Sequence, residues 1–546
     1  MAFSDIASGI KYPDKASERF KRLDAFDRLR DGTLYEHIRF PFEEEYSSNG
    51  GEYIPMRKRR PSVVWQAASM LCAQLAGLLW GDEQMPVVRT YSGEEPTNDD
   101  KEAESAIQHI SEALALDTVM ETATHLSSSG SCAIVLRATD DKEPYIEVVP
   151  GKECTPKFNP RSPMEMLEFE QLYPTTGHAL ADMGYDIDDD KLDDVYWFRL
   201  TIDSREEVRY FPLTNEDYED LGKKRSFTDR KIQWVRDEER SFEHGFGAVP
   251  VIWAKAPSRG VSKLDGDCLY GKVADIFVSI DYNLSQIQRG FRYTADPMLA
   301  IRRGELKNGA VPFRYEQEDQ TSKDGEGNII KSSSTVLDIE PGGEAKLLEI
   351  SGQGLDKFRE LVRMLREWGL EVVGGMKADA ESTKGGDSGR VLEIMFQNMI
   401  LLLKRWRVSL GNNAYIPLIR LVLVGIAMDV IEIPGVDSVA PDTTMRLIWQ
   451  NWMTPTGQDL NATVQAWQAL AGYSAREPGP ILPRETVTRI VAGNLGLTDT
   501  AAVLTALGKQ VDDDAKKLAA QQDKEQQNAV ELKTAGGASS DKGNSQ

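Results

Sequence analysis

The apolar positions of this chain follow two different spacings. From residue 131 to about 255 they come in short runs broken by acidic or turn-rich stretches. "GSCAIVLRATDDKEPYIEVVPGKECTPKFNP" reads as a strand, a turn at Asp140 and Asp141, and a second strand; "YWFRLTI", "EEVRYFPL", "KIQWVRD" and "VPVIWAK" are further strand candidates of an antiparallel region. After Pro257 the spacing becomes that of long helices. Leu269, Val273, Ile276, Ile280, Leu284, Ile287 and Phe291 recur at steps of 4, 3, 4, 4, 3 and 4, an apolar stripe that ends before Pro297. A second long helix is predicted over about 353–373, with Leu355, Phe358, Val362 and Leu365 on one side. Between the two, 298–350 reads as a small module with strand-like "MLAIRR", "PFRYEQ", "STVLDI" and "AKLLEI" and a turn in "KDGEGN".

A third long helix starts near Ser388 and carries Val391, Ile394, Met395, Met399, Leu402 and Trp406; Pro417, which lacks a donor, is expected to kink or break it. Upstream, Val64, Met70, Leu71, Leu75, Leu78 and Leu79 mark a helix face closed by Gly81, and another helix runs from about 101 to 127. "EIPGVDSVAPDTTMRLIWQNWMTPTG" returns through a short strand, 457–510 reads as small helices around "PILPRETVTRIV", and the tail from 511 has few large apolar residues and frays into disorder. Strand-rich and helix-rich stretches in succession make the expected fold class α+β.

Composition narrows the function. At 546 residues and 40% hydrophobic content the chain can build several cores. With 87 acidic against 64 basic side chains its formal charge is -23, so the molecule as a whole repels phosphate and any DNA contact is local or weak. Cys72, Cys132, Cys154 and Cys268 show no CxxC or CxH spacing and fit free thiols, with no structural zinc implied. The N-terminal stretch lacks the apolar core of a signal peptide, so export is not expected. The most apolar region is cut by Lys404, Arg405, Arg407 and Arg420 and reads as a long buried helix; no membrane is expected as a partner.

Three stretches imitate catalytic motifs. "GDCLYGK" has the spacing of a phosphate loop, with Gly266, Gly271 and Lys272 following a probable strand. Val273 stands where a magnesium-binding hydroxyl is needed, and the apolar stripe begins at Leu269, so these residues are expected to be helical already, capped by Asp265 or Asp267. "GDSG" (Gly386 to Gly389) resembles the nucleophile segment of trypsin-like proteases, with His125 upstream; Arg390 replaces the final glycine, and capping by Asp387 or Ser388 explains the stretch. In "DIDDDKLDD", Asp186, Asp188 and Asp190 alternate as in a calcium loop, but Lys191 and Trp197 occupy the places of the glycine and the bidentate glutamate. That leaves a solvated acidic loop. The five histidines form no HExxH or HxH pattern, His244 is assigned to the turn before a strand, and no metal is expected.

Two basic features remain. "MRKRR" (Met56 to Arg60) reads as a solvated approach to a helix, with phosphate binding as the other reading. Arg359, Arg363 and Arg366, at steps of 4 and 3, share one face of the second long helix. They either meet phosphate or the acidic side chains of a neighbouring subunit, or pair within the helix with Glu360 and Glu367.

The succession of elements resembles that of the tailed-bacteriophage portal proteins, particularly the Gp6-like portal family. "RRPSVVWQAASMLCAQLAGLLWG" is similar to that family's N-terminal helical segment with its Trp-Gly turn, and "SSSGSCAIVLRATDDKEPYIEVVPGKECTPKFNP" to its strand pair. "HGFGAVPVIWAKAP" is similar to its approach to the stem and "PILPRETVTRIVAGNLGLTD" to its crown helix. The resemblance covers about 20–510.

What it implies is a homo-oligomeric ring, typically of twelve subunits, at one capsid vertex, through which double-stranded DNA is packaged and ejected. The implied partners are the terminase motor, the major capsid and scaffold proteins, and the head-completion adaptor or tail proteins. The chain would be a virion component assembled in the bacterial host cytoplasm, without enzymatic activity or cofactor, ATP hydrolysis belonging to the motor. By this resemblance 1–19 is an N-terminal arm, 20–261 wing, 262–296 the first stem helix, 297–351 clip, 352–373 the second stem helix, 374–390 tunnel loop, 391–455 wing again, 456–510 crown, and 511–546 an acidic and polar tail. Lys377, Lys384 and Arg390 then belong to or flank the loop nearest DNA, by position alone, and Arg359, Arg363 and Arg366 form a basic face of the stem. An acidic channel wall would keep DNA from sticking as it slides. The competing readings are a soluble acidic hydrolase with a nucleotide or serine site, and a capsid-associated binding protein without a channel.

Overall fold

The structure, a computed structural model, describes residues 2–46, 52–81, 84–91, 97–223, 231–258, 264–295, 298–302, 344–348, 352–374, 397–436 and 439–450. It is mixed helix and sheet, 45% helical and 23% strand, which places it in the α+β class. The chain divides into two compact units: Met1–Lys11, Gly32–Gln66 and Val273–Gly369 form the first, and Tyr12–Asp31, Ala67–Lys272 and Leu370–Gln546 the second.

In the second unit the strand Ser131–Ala138 pairs antiparallel with Pro144–Pro150 on one side and Val251–Lys255 on the other. Its first six residues are all buried, because both of its faces are covered. Cys132, Ile134 and Leu136 enter a core shared with Leu79, Met120, Leu418 and Val422 of surrounding helices. Ala133 and Val135 enter a second core with Phe169, Phe198 and Leu200 of a larger antiparallel sheet. Since successive side chains point to opposite faces, one strand separates two cores.

The larger sheet has the order Arg236–Glu243, Glu206–Tyr210, Val195–Ile202, Ser162–Thr176, Cys154–Asn159, with Leu213–Thr214 also pairing Val195–Ile202. The strand expected in "KIQWVRD" lies mostly further on, at Arg236–Glu243, and its register shifts between Asp237 and Phe242. It is an edge strand, where charged residues blunt unwanted pairing, so "RDEERSFE" carries no apolar alternation. The single helix expected over 101–127 is two, Asn98–Ala113 and Leu116–Ser127, because Ala115 adopts a left-handed φ of 45° between them.

Pro417 does not break the third long helix. Gln397–Ala427 continues through it because Arg407–Tyr415 winds as a π-helix between Gln397–Trp406 and Ile416–Ala427. The wider ladder reassigns carbonyls just where the proline has no N–H to offer. Gly411 within it leaves room for a neighbour: a Cβ there would stand 2.7 Å from Cζ2 of Trp449. By length and composition the helix could cross a membrane, an 18-residue stretch of it having a mean hydropathy of 1.4, yet 56% of that stretch is buried within the protein. The return strand Arg446–Ile448 pairs antiparallel with Val87–Arg89.

The first unit is organised around the helix Ala274–Ala295. Its buried face keeps part of the predicted stripe, with Val273 just before the helix and Ile280 both buried, but Phe277, Val278, Asp281, Tyr282 and Ser285 are buried as well, while Ile276, Leu284 and Ile287 are half-buried and Phe291 is 57% exposed. The face has turned because polar groups lie inside, where they hold the segment that follows Ile54. Trp65 N–H donates to Asp281 Oδ1 at 2.7 Å, Val63 N–H to Ser285 Oγ at 3.2 Å, and Tyr282 O–H to the Arg59 carbonyl at 3.0 Å. That segment holds the basic cluster, with Met56–Lys58 as a 3-10 turn and Arg59–Arg60 as a short strand parallel to Phe40–Pro41. Arg59 is not solvated: it is 1% exposed and donates through Nε to the Ile54 carbonyl at 2.9 Å.

Met298–Arg302 and Glu344–Leu348 pair antiparallel, Met298 opposite Leu348. The helix Gly352–Val373 follows, and the unit boundary falls within it, after Gly369. The strand-like "PFRYEQ" and "STVLDI", the small helices of 457–510 and the tail lie outside the described residues.

Candidate functional site

The basic face predicted on the helix Gly352–Val373 is present: Arg359, Arg363 and Arg366 are all exposed, spaced one helical turn apart. Two of them have contacts that fix their direction. Arg363 Nε donates to Glu367 Oε1 at 3.2 Å, the intrahelical pairing that was one of the two readings, and the Arg366 guanidinium lies 5.5 Å from the centre of the Trp65 ring. An exposed i, i+4 pair of this kind is weak and is readily exchanged for phosphate or for a carboxylate on another chain. Lys377, Lys384 and Arg390 lie outside the described residues.

The phosphate-loop spacing at 266–272 belongs to a different structure from either sequence expectation. Residues 266–270 are not helical; winding begins with the 3-10 turn Gly271–Val273 and becomes α-helical at Ala274. The backbone amides are engaged: Gly266 N–H donates to the Gly130 carbonyl at 2.9 Å, Leu269 N–H to Ser128 at 2.8 Å, and Gly271 N–H to Cys268 at 3.4 Å. A phosphate cradle requires such amides to point at the ligand, and these point at protein. Gly266 is there for close approach, since a Cβ would stand 2.1 Å from the Ala256 carbonyl oxygen.

Asp265, expected as a cap, is an anchor instead. It is 7% exposed and accepts from Arg19 Nη2 at 2.7 Å, Arg22 Nη2 at 2.8 Å and Ser131 Oγ at 2.7 Å. These arginines sit on the helix Glu18–Asp31, half of whose buried residues are charged: Asp24, Asp27 and Arg30 beside Leu23, Ala25 and Leu29. Asp24 pairs with Lys152 at 2.8 Å and Arg28 at 2.6 Å, and Asp27 with Arg30 at 3.0 Å. Burial alone would raise the Asp24 carboxyl, but Lys152 and Arg28 outweigh it and hold the group below its ordinary value. For Asp27 burial wins over Arg30 and Lys152 and the carboxyl is raised; burial likewise pushes Glu153 up to about 7 against the pull of Lys152.

In the first unit, Asp281 carries the same tension with no cation paired to it among the described residues. Burial raises its carboxyl to about 7, opposed only by the Trp65 amide and the Tyr35 hydroxyl, 2.8 Å from Oδ2. None of these buried carboxylates was found from the sequence. The available signal was the density of Asp and Arg at steps of 3 and 4 in "ERFKRLDAFDRLRD", which reads equally as a solvated face.

The remaining motifs resolve into local structure. His125 ends the helix Leu116–Ser127, where burial lowers its imidazole and its carbonyl accepts from Arg30; "GDSG" lies outside the described residues. His244 binds the Asp203 carbonyl at 2.9 Å and holds the turn before Val251–Lys255. In the acidic loop Lys191 pairs with Asp188, closing the 3-10 turn Asp189–Lys191. Among the described residues no three or more His, Cys, Asp or Glu side chains are grouped to hold a metal ion. All four thiols are free; burial pushes Cys72 up to about 11, which makes it a poor nucleophile at neutral pH. No protein-family model matches the chain, and no curated protein matches it.

Proposed function

We propose that this chain is the subunit of a portal ring, the channel through which a tailed bacteriophage packages and ejects its DNA. The observation that carries the reading is the order helix Ala274–Ala295, antiparallel pair Met298–Arg302 with Glu344–Leu348, helix Gly352–Val373. A strand pair that returns the chain between two long helices supports a clip inserted into a stem. The mixed α/β second unit with its long helix Gln397–Ala427 supports the assignment of a wing.

On this reading about twelve copies form the ring, the terminase motor and later the adaptor or tail proteins dock on the clip, and capsid and scaffold proteins hold the wing. The net charge of -23 per chain keeps sliding DNA from adhering, while Lys377, Lys384 and Arg390 supply transient contacts and Arg359, Arg363 and Arg366 meet phosphate or a neighbour's acids. The ring itself is not an enzyme. The nucleotide-hydrolase alternative loses its main support, because the Gly266, Leu269 and Gly271 amides are bound to protein carbonyls. Negative-stain microscopy of the purified chain tests the proposal: rings with a central hole are expected, and a stable monomer at every salt concentration would overturn it.

A further inference from the structure

The helix Gly352–Val373 has one apolar face against its own chain and a second that no described residue covers. Gly369, Leu370 and Val373 are buried. Phe358, Leu361, Trp368 and Val372 are 43%, 37%, 53% and 55% exposed, and Leu365 is half-buried. These five follow steps of 3, 4, 3 and 4, the heptad spacing whose natural occupant is another helix. Single exposed apolar residues are ordinary; five in a continuous stripe on one helix mark an interaction surface.

The flanking row identifies the occupant. Lys357, Met364 and Glu371 recur at steps of seven, each just before one of Phe358, Leu365 and Val372. Lys357 and Glu371 are exposed and Met364 is half-buried. When two such helices pack antiparallel, the same flanking row from each runs beside the other in the opposite direction. Lys357 of one copy then meets Glu371 of the other, Met364 meets Met364, and Glu371 meets Lys357. Parallel packing would instead set the row against Val362 and Gly369 and bring no opposite charges together.

The geometry points to a second copy of this chain as the occupant, with the helix Gly352–Val373 pairing antiparallel across a two-fold axis. Such a contact uses the same patch on both subunits, so it is not the head-to-tail contact that closes a ring. It describes a dimer of free chains and stands independently of the portal reading.

Sedimentation velocity of the full chain over a concentration series tests it. The wild type is expected to form a reversible dimer of its 60.9 kDa chains. Trp368→Glu weakens that dimer at least about tenfold with the far-ultraviolet circular dichroism unchanged. Lys357→Glu and Glu371→Lys each weaken it by about fivefold, since each breaks two symmetry-related pairs, and the double reversal restores it. A wild type with no dimer at any concentration, a dimer indifferent to Trp368→Glu, or a double reversal without restoration overturns the inference. Rings seen by microscopy in Trp368→Glu alongside loss of the dimer support both readings, and absence of rings with a dimer present sinks only the portal one.

Discussion

Asp265 receives Arg19 along two edges, Nη2 donating to Oδ1 at 2.7 Å and Nε to Oδ2 at 3.0 Å. This fork ties the helix Glu18–Asp31 to a residue more than 240 positions away, and the Asp265 side chain is only 6% exposed. Removing one partner of a buried pair leaves the other desolvated and unpaired. Asp265→Ala is expected to destabilise the second unit by about 3 kcal/mol, read as a lower urea midpoint. Arg22→Ala should cost under about 1 kcal/mol, since that side chain is 57% exposed. Equal losses for both would refute the view that burial sets the strength of the anchor.

Asp281 predicts a pH dependence of the first unit. Its folded value of about 7 lies above that of an unfolded aspartate, so the folded state holds the proton over the interval where the unfolded state has released it. Its contribution to stability is therefore full below about pH 4 and is lost as pH rises through about 7. In Asp281→Asn this loss is expected to disappear, with Asn still able to accept from Trp65 N–H. Urea midpoints between pH 4 and 8 for the two proteins check this, and parallel curves would rule it out.

Lys272 and Gly266 separate a packing role from a nucleotide role. Lys272→Ala, at an exposed position, is expected to change stability by less than about 0.5 kcal/mol and to leave ring assembly intact. Gly266→Ala forces a Cβ against the Ala256 carbonyl and is expected to lose several times more. Neither protein should hydrolyse ATP. Turnover in the wild type that vanishes in Lys272→Ala would return the nucleotide reading.

Neutralising Lys377 and Lys384 together tests the role proposed for the 374–390 segment. DNA packaging is expected to fall more than ring assembly, measured in a packaging assay beside microscopy of the same preparation. Equal loss of both would mark the segment as structural.

The sequence spacing located the long helices and most of the antiparallel strands, because those depend on local apolar periodicity. It gives only part of the inward face of Ala274–Ala295: Val273 just before it and Ile280 are buried as expected, but Asp281 and Ser285 are buried too and Phe291 is not, since a count of apolar residues cannot register a polar group turned inward. The helix Glu18–Asp31 was illegible for a related reason: its partners Lys152 and Asp265 are remote in sequence, and a charge gives no sign in isolation of whether it faces water. The break that Pro417 allows does not occur, because Arg407–Tyr415 winds more widely than the 3.6-residue step on which the sequence reading rests. For the candidate site, the row Arg359, Arg363, Arg366 is visible from spacing alone, while the engagement of the Gly266 and Leu269 amides by the distant Gly130 and Ser128 carbonyls is not.

The strand Ser131–Ala138 has a consequence for how this protein can vary. A slip of one residue would exchange the contents of both cores at once, sending Ile134 among the sheet residues and Val135 among the helices. Register is thus pinned from two sides, yet a change of volume at one position is felt on one side only. Positions 132, 134 and 136 are free to drift in size only in concert with Met120, Leu418 and Val422, and 133 and 135 only with Phe169, Phe198 and Leu200. Relatives of this chain should show two sets of compensating substitutions that interleave along the five residues 132–136 and never mix.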